Sequence, residues 1–225
     1  MEFILQETIK SFVPPVSDDG VATVTTGGYF GQYYDIDGTG GNASDKDMIF
    51  RYRSAAEQPE TDNAIDDIVN EAIVSNEMKQ PVKLNLENLS YGPDVRRKIE
   101  DEFSEILQLM DFNTKGHDLF RRWYVDGRIF YHKVIDTDSP RKGITELRYI
   151  DPRKIKKVRE VRKKRPDGPT PHGLSIVDDF QEYYLYNEKG VAGTTSGGIK
   201  IAPDTIAYCP SGLIDQNKNM VLSYL

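Results

Sequence analysis

Cysteine is nearly missing from this chain: Cys209 is the only one. An internal disulfide and any multi-cysteine zinc site are thereby excluded, and the composition suits a reducing compartment. No apolar run approaches the ~20 residues that a membrane-spanning helix needs. The N-terminus lacks a basic segment followed by an apolar core, so it does not read as a secretory signal. Histidine is scarce as well. His117, His132 and His172 have no second histidine or cysteine at ligand spacing, so no metal site is expected. The glycine clusters Gly27-Gly28, Gly38 to Gly41 and Gly197-Gly198 lack the order of a phosphate loop, and none sits between a strand and a helix. Asp35, Asp37 and Gly40 match the first, third and sixth positions of a calcium loop. Lys46, however, stands where the bidentate glutamate is required. No GxSxG elbow is present, and Asp66-Asp67 and Asp178-Asp179 are adjacent, so the members of each pair point to different faces. Cys209 lies among apolar strand residues and is expected to be a buried, inert thiol. The reading is therefore no enzyme, no cofactor and no metal.

What is present is enough for a real core. The chain has 225 residues, 38% hydrophobic and 29% charged, with a formal net charge of -7. That balance argues against a surface built wholly to hold nucleic acid. Residues 1–50 read as a flexible acidic arm rich in Gly and Tyr. Asp18, Asp19, Asp35, Asp37, Asp45 and Asp47 face only Lys10 and Lys46, and Tyr29, Phe30, Tyr33 and Tyr34 supply contacts for a partner.

Residues 51–225 read as an α+β body in which three amphipathic helices precede a mainly antiparallel β region. The first helix is expected from Pro59 to Glu77, with Ile65, Ile68, Val69, Ala72 and Ile73 on one stripe. Pro59 suits its first turn, and Glu60 and Asp62 suit the positive end of its dipole. Val82 to Leu89 alternates as a half-buried strand would. A second helix follows from Pro93 to Met110, with Val95, Ile99, Phe103, Ile106, Leu107 and Met110 on one face. Asn113 can cap a third, which buries Leu119, Phe120, Trp123 and Tyr124 and stops at Gly127. Strands are expected over 128–136, 144–150, 179–187, 198–202 and 205–211, from their Ile, Val, Tyr and Phe content and the turn residues between them.

The run from Asp151 to Pro166 is the main electrostatic feature. Arg153, Lys154, Lys156, Lys157, Arg159, Arg162, Lys163, Lys164 and Arg165 meet only Asp151 and Glu160 within it. Ile155, Val158 and Val161 recur every third residue, so part of the run is anchored to the body. Such a run (residues 153–165) can contact DNA phosphates, as in a DNA-binding accessory module, or an acidic neighbour. It has no aromatic residue for base stacking, which favours the acidic protein surface.

Three segments together resemble the portal proteins of T4-like tailed bacteriophages: AIDDIVNEAIV (Ala64 to Val74), FRRWYVDGRIFYHK (Phe120 to Lys133) and ITELRYIDPRKI with VREV (Ile144 to Val161). SGLID (Ser211 to Asp215) and VLSYL (Val221 to Leu225) fit the same pattern, and the first fifty residues resemble the tails of cyanobacterial phage relatives. The resemblance implies a structural virion protein whose N-terminal part builds the wing of a twelve-fold homo-oligomeric ring at one capsid vertex. Its implied partners are major capsid and scaffold proteins, double-stranded DNA in the channel, and the terminase large subunit and neck proteins, the last two through regions absent here. The chain ends at Leu225 without a tail signal and is expected to be a truncated portal. Arg121, Arg122, Arg128, Lys163, Lys164 and Arg165 are the candidate intersubunit or local electrostatic contacts.

Overall fold

The computed structural model describes residues 20–26, 34–35, 45–74, 81–164, 176–191, 198–215 and 220–225, with 22–26, 34–35, 161–164 and 176–180 described by backbone alone. A small hairpin of β1 (Ala22–Thr26) and β2 (Tyr34–Asp35) comes first. Four helices follow: α1 (Asp45–Ala56), α2 (Pro59–Ala72), α3 (Pro93–Leu109) and α4 (Phe112–Asp126). The chain then turns to strands β3 (Arg128–Ile135), β4 (Ile144–Ile150), β5 (Ile155–Lys164), β6 (Ile176–Tyr186), β7 (Ile199–Ile201) and β8 (Ile206–Pro210), closing with β9 (Ile214–Asp215) and β10 (Met220–Val221). The architecture is α+β, a helical region followed by antiparallel sheets. The parallel exception is β1, which joins the edge of β5.

The helix count differs from the sequence expectation by one. α1 was missed because its buried apolar residues, Ile49 and Ala56, lie seven positions apart, too sparse a stripe to read. It begins at Asp45, so its first half, like the hairpin, lies in the stretch that composition assigns to an arm. α2 starts at Pro59 with Glu60 and Asp62 in its first turn and buries Ile65 and Val69 of its expected stripe, while Ile68 and Ala72 stay exposed. It ends at Ala72, and residues 75–80 lie outside the described residues. α3 forms where expected, yet it fully buries none of its residues, and Val95 and Ile106 are exposed. α4 starts after Asp111, which sits at φ 48, so Asn113 lies inside the helix rather than capping it.

Val82 to Leu89 is not a strand. The Asn85 side-chain oxygen accepts the Glu87 N–H at 3.0 Å, and Leu89 N–H bonds back to Leu86 O at 3.2 Å. These local turns replace the ladder that alternation alone suggested. Leu86 is buried, while Leu84 stays exposed.

Two sheets carry the second half. β4-β3-β8 are antiparallel, and β5-β6-β7 continue the sheet that β2-β1 begin. Phe130 from β3, Ile206 from β8, Ile155 from β5 and Tyr184 from β6 form one buried cluster that packs the two sheets together. A separate cluster of Ala56, Ile65, Val69 and Val125 holds α1, α2 and α4. Spacing by three places successive strand residues on opposite faces. Ile155 therefore joins the intersheet core while Val158 pairs with Tyr183 on the reverse face. The described part of the basic run thus enters a strand that is buried on both faces from Val158 to Glu160.

Cys209 is exposed, contrary to expectation. On β8 only Ile206 is fully buried; Cys209, like Ala207, faces out. An apolar strand sequence cannot say which face the core will take.

Candidate functional site

The passage Phe120 to Lys133 is the hinge between the two halves, and the charged groups around it form the best-organised polar site. α4 ends at Gly127, whose φ of 70 is the left-handed stop expected of it. Its N–H bonds Trp123 O at 2.9 Å and its carbonyl accepts the Ser211 N–H at 2.7 Å. A Cβ here would lie 2.4 Å from the Leu222 carbonyl oxygen, so only glycine lets the closing segment pass. That segment seats Tyr224 against Trp123 and Tyr124, with ring centroids 5.3 and 5.2 Å apart. Tyr224 OH donates to Ser211 O at 2.8 Å.

Asp126, the last residue of α4, is 2% exposed. A carboxylate is unfavourable at the negative end of the helix dipole, so it needs a cation. Arg53 from α1 supplies it. Its Nε and Nη2 donate to the two Asp126 oxygens at 2.8 and 2.7 Å, and Nη1 and Nη2 reach Asp151 at 3.3 Å. The hydrogen bond to Asp126 holds the Arg53 guanidinium well above its usual range, against the cost of burial. Burial opposes ionisation of Asp151, but hydrogen bonds from Arg153 and the charge of Arg53 outweigh it and hold the carboxyl well below its usual range. Tyr149 beside them is pushed up to about 12, chiefly by burial. These groups line a cleft of about 490 Å³ with Glu57, Asp62, Asp118, Arg121 and Arg122.

Arg121 bonds Asp62 and, at 3.1 Å, Asp66, both on α2. Arg122 pairs with Asp118 at 2.9 Å, one turn back, and lies over the Tyr149 ring at 5.1 Å. Arg128 is buried. It donates to Val221 O at 2.6 Å and reaches Asp45 at 3.5 Å. The fold thus gathers Arg121 and Arg122 at one cleft and places Arg128 apart, under the chain's closing segment. Of the remaining candidates, Lys163 and Lys164 fall on the backbone-only end of β5, and Arg165 lies outside the described residues.

The basic residues from Arg153 to Arg159 meet carboxylates of their own chain. Arg153 pairs with Asp151 at 2.7 Å, Lys154 with Glu188 at 2.5 Å and Lys156 with Asp45 at 3.9 Å. Lys157 and Arg159 share Glu182 at 2.9 and 2.6 Å. Burial resists the Glu182 charge, but these two cations hold its carboxyl below the ordinary value. Cations so engaged are poor phosphate ligands, which weighs against the DNA-binding reading of this stretch.

Sequence reasoning did not find Arg53, Asp126, Asp151 or Glu182. Asp126 was findable: an acid in the final position of a helix signals a cation brought by another element. Among the described residues no cluster of three or more His, Cys, Asp or Glu could hold a metal ion. Among the described residues no helix is long and apolar enough to cross a membrane.

Comparison with known proteins gives this architecture its place. The family model described as Bacteriophage T4-like portal protein (Gp20) matches residues 45–225. The portal protein of Vibrio phage KVP40 is 36% identical over 177 residues, covering 75% of this chain and 33% of that protein. The portal protein of Salmonella phage ViI is 35% identical over 143 residues, covering 63% of this chain and 25% of its own length. The matched stretch is thus at most a third of these relatives. Because the match runs from the first residue of α1 through the helical core, the Arg53 network and both packed sheets, the chain belongs to the T4-like bacteriophage portal protein family.

Proposed function

We propose that this chain builds part of the wing, the outer flange, of a twelve-fold portal ring at one capsid vertex. The observation that carries this is the family match over residues 45–225, which takes in the helical core and both sheets together. The family is a non-catalytic structural class of virion proteins. In this role the ring initiates head assembly, lets the terminase motor drive double-stranded DNA through its channel, and then holds the neck and tail. The protein acts in the host cytoplasm during assembly and afterwards in the virion. Capsid and scaffold proteins are its partners at the flange, while terminase and neck contacts belong to other parts of a full portal. Resemblance of the first fifty residues to tails of cyanobacterial phages points to a cyanophage source. Residues 1–50 act as the arm and 51–225 as the wing body.

Neighbouring copies in such a ring meet head to tail, so each subunit presents two different surfaces. The acidic arm, with Asp18, Asp19, Asp35 and Asp37, carries one charge, and the far end of the basic run at Lys163, Lys164 and Arg165 carries the opposite one. Gold-labelled antibodies raised against the 225-residue chain, applied to opened particles of a phage carrying the sequence, test the reading. Label at a single vertex is expected. Label over all vertices, or on the tail alone, would overturn it.

A further inference from the structure

We infer that the edge of β5 is a strand-acceptor site, and that in the assembled ring it takes Ala22–Thr26 from the adjacent copy of this chain. The inference rests on the ring reading above and adds a partner surface to it. The acceptor sheet β5-β6-β7 lies inside the stretch shared with the family, whereas the strand that covers its edge lies before residue 45. The edge needs a cover. β5 is 10 residues long and is buried on both faces at its middle, where Val158, Arg159 and Glu160 are 4%, 5% and 7% exposed. A bare row of main-chain donors and acceptors beside such a core is costly, and it invites any strand that can pair.

β1 pairs in parallel, from Ala22 opposite Val158 to Thr26 opposite Arg162. Lateral addition of this kind works through the main chain, so an identical strand from another copy fits equally well. The leading end has a shaped seat. Gly20 sits at φ 70, and a Cβ there would lie 2.4 Å from Val221 Cγ2; Val21 beside it is 2% exposed.

The tether starts from a fixed point. Asp45, at the head of α1, is held by Arg128 at 3.5 Å and Lys156 at 3.9 Å. Residues 36–44 join it to β2 and span at most about 35 Å when extended. A neighbour's β5 edge within that distance is as reachable as the chain's own. The main-chain pairing of β1 with β5 survives the exchange, and each copy in a closed ring then gives one strand and receives one. Confinement in a ring also removes the entropic advantage that closure within one chain has in dilute solution.

The test uses the full chain with Cys209→Ser, Thr26→Cys and Arg162→Cys. The two new thiols are bridged by a short bis-methanethiosulfonate under conditions where the protein is oligomeric by light scattering. A non-reducing gel showing covalent dimers and a ladder above them is expected. A 1:1 mixture of chains each carrying one of the two thiols should likewise give a bridged dimer. Bridging confined to single chains overturns the exchange, as does the absence of bridging in both preparations or failure of the chain to oligomerise at any concentration. A labelled vertex together with bridges inside single chains would remove the exchange alone. A ladder from a protein that labels no vertex would remove the portal reading and leave the exchange standing.

Discussion

Arg53 and Asp126 face each other in a two-pronged ion pair, with Nε and Nη2 at 2.8 and 2.7 Å from the two carboxylate oxygens. The pair ties the last turn of α1 to the last residue of α4, at the point where the chain leaves its helices for its sheets.

Removing one partner should therefore be worse than removing both. Arg53→Met leaves the Asp126 carboxylate buried without its cation, and a loss of about 3–5 kcal/mol is expected. Arg53→Met with Asp126→Asn should recover part of that loss. Urea unfolding of the wild type, both single variants and the double variant checks it, because the cycle isolates the pair term.

Asp151 sets an acid limit. Its folded pKa lies below the unfolded carboxylate value of ~3.9, so its contribution is fully present above that value and is lost as pH falls through the folded one. Asp151→Asn should be less stable than wild type at pH 7, and the gap should narrow steadily below pH ~4. Denaturant midpoints measured across that range decide the matter; a gap that stays constant with pH would contradict it.

Gly127 and Gly143 both have positive φ, 70 and 81, but only Gly127 lacks room for a Cβ. Alanine at Gly127 takes on a left-handed penalty of about 1–2 kcal/mol, and alanine at Gly143, where ψ is -150, one of about 1–3 kcal/mol for a region open essentially to glycine alone. At Gly127 it also strikes the Leu222 carbonyl, which adds about 1–3 kcal/mol. Thermal melts should rank Gly127→Ala clearly below Gly143→Ala.

Tyr224 covers the chain's single tryptophan, Trp123. Tyr224→Ala should shift the Trp123 emission to the red and lower stability by about 1–2 kcal/mol, the worth of two aromatic contacts. Fluorescence spectra and a denaturation curve report both effects.

Charge reversal tests the intersubunit role of the far end of the basic run. Lys163→Glu, Lys164→Glu and Arg165→Glu together, placed in a complete portal protein carrying this sequence, should impair ring formation. Unchanged rings by electron microscopy would exclude that role.

How much of this was legible beforehand differs by element. Helices α2 and α3 and strands β3, β4 and β8 follow from periodicity, because each carries its apolar pattern on consecutive residues. α1 does not, since it is held by two small contacts and by ion pairs made far along the chain. Val82 to Leu89 carried a strand pattern without a strand partner, and Asn85 settled its backbone locally.

The sequence by itself determined the order of helices before strands, the stop at Gly127 and the family resemblance around Phe120 to Lys133. Each is written in neighbouring residues, through hydrophobic period, backbone freedom or motif. Only the tertiary structure decided that the basic run enters a strand buried on both faces from Val158 to Glu160, and that Glu182, Glu188 and Asp45 answer charges along it. It also decided that Arg53 serves Asp126 and that Cys209 faces outward. Those outcomes depend on which distant segments meet. Electrostatic pairing and burial are properties of space, and local sequence carries no measure of them.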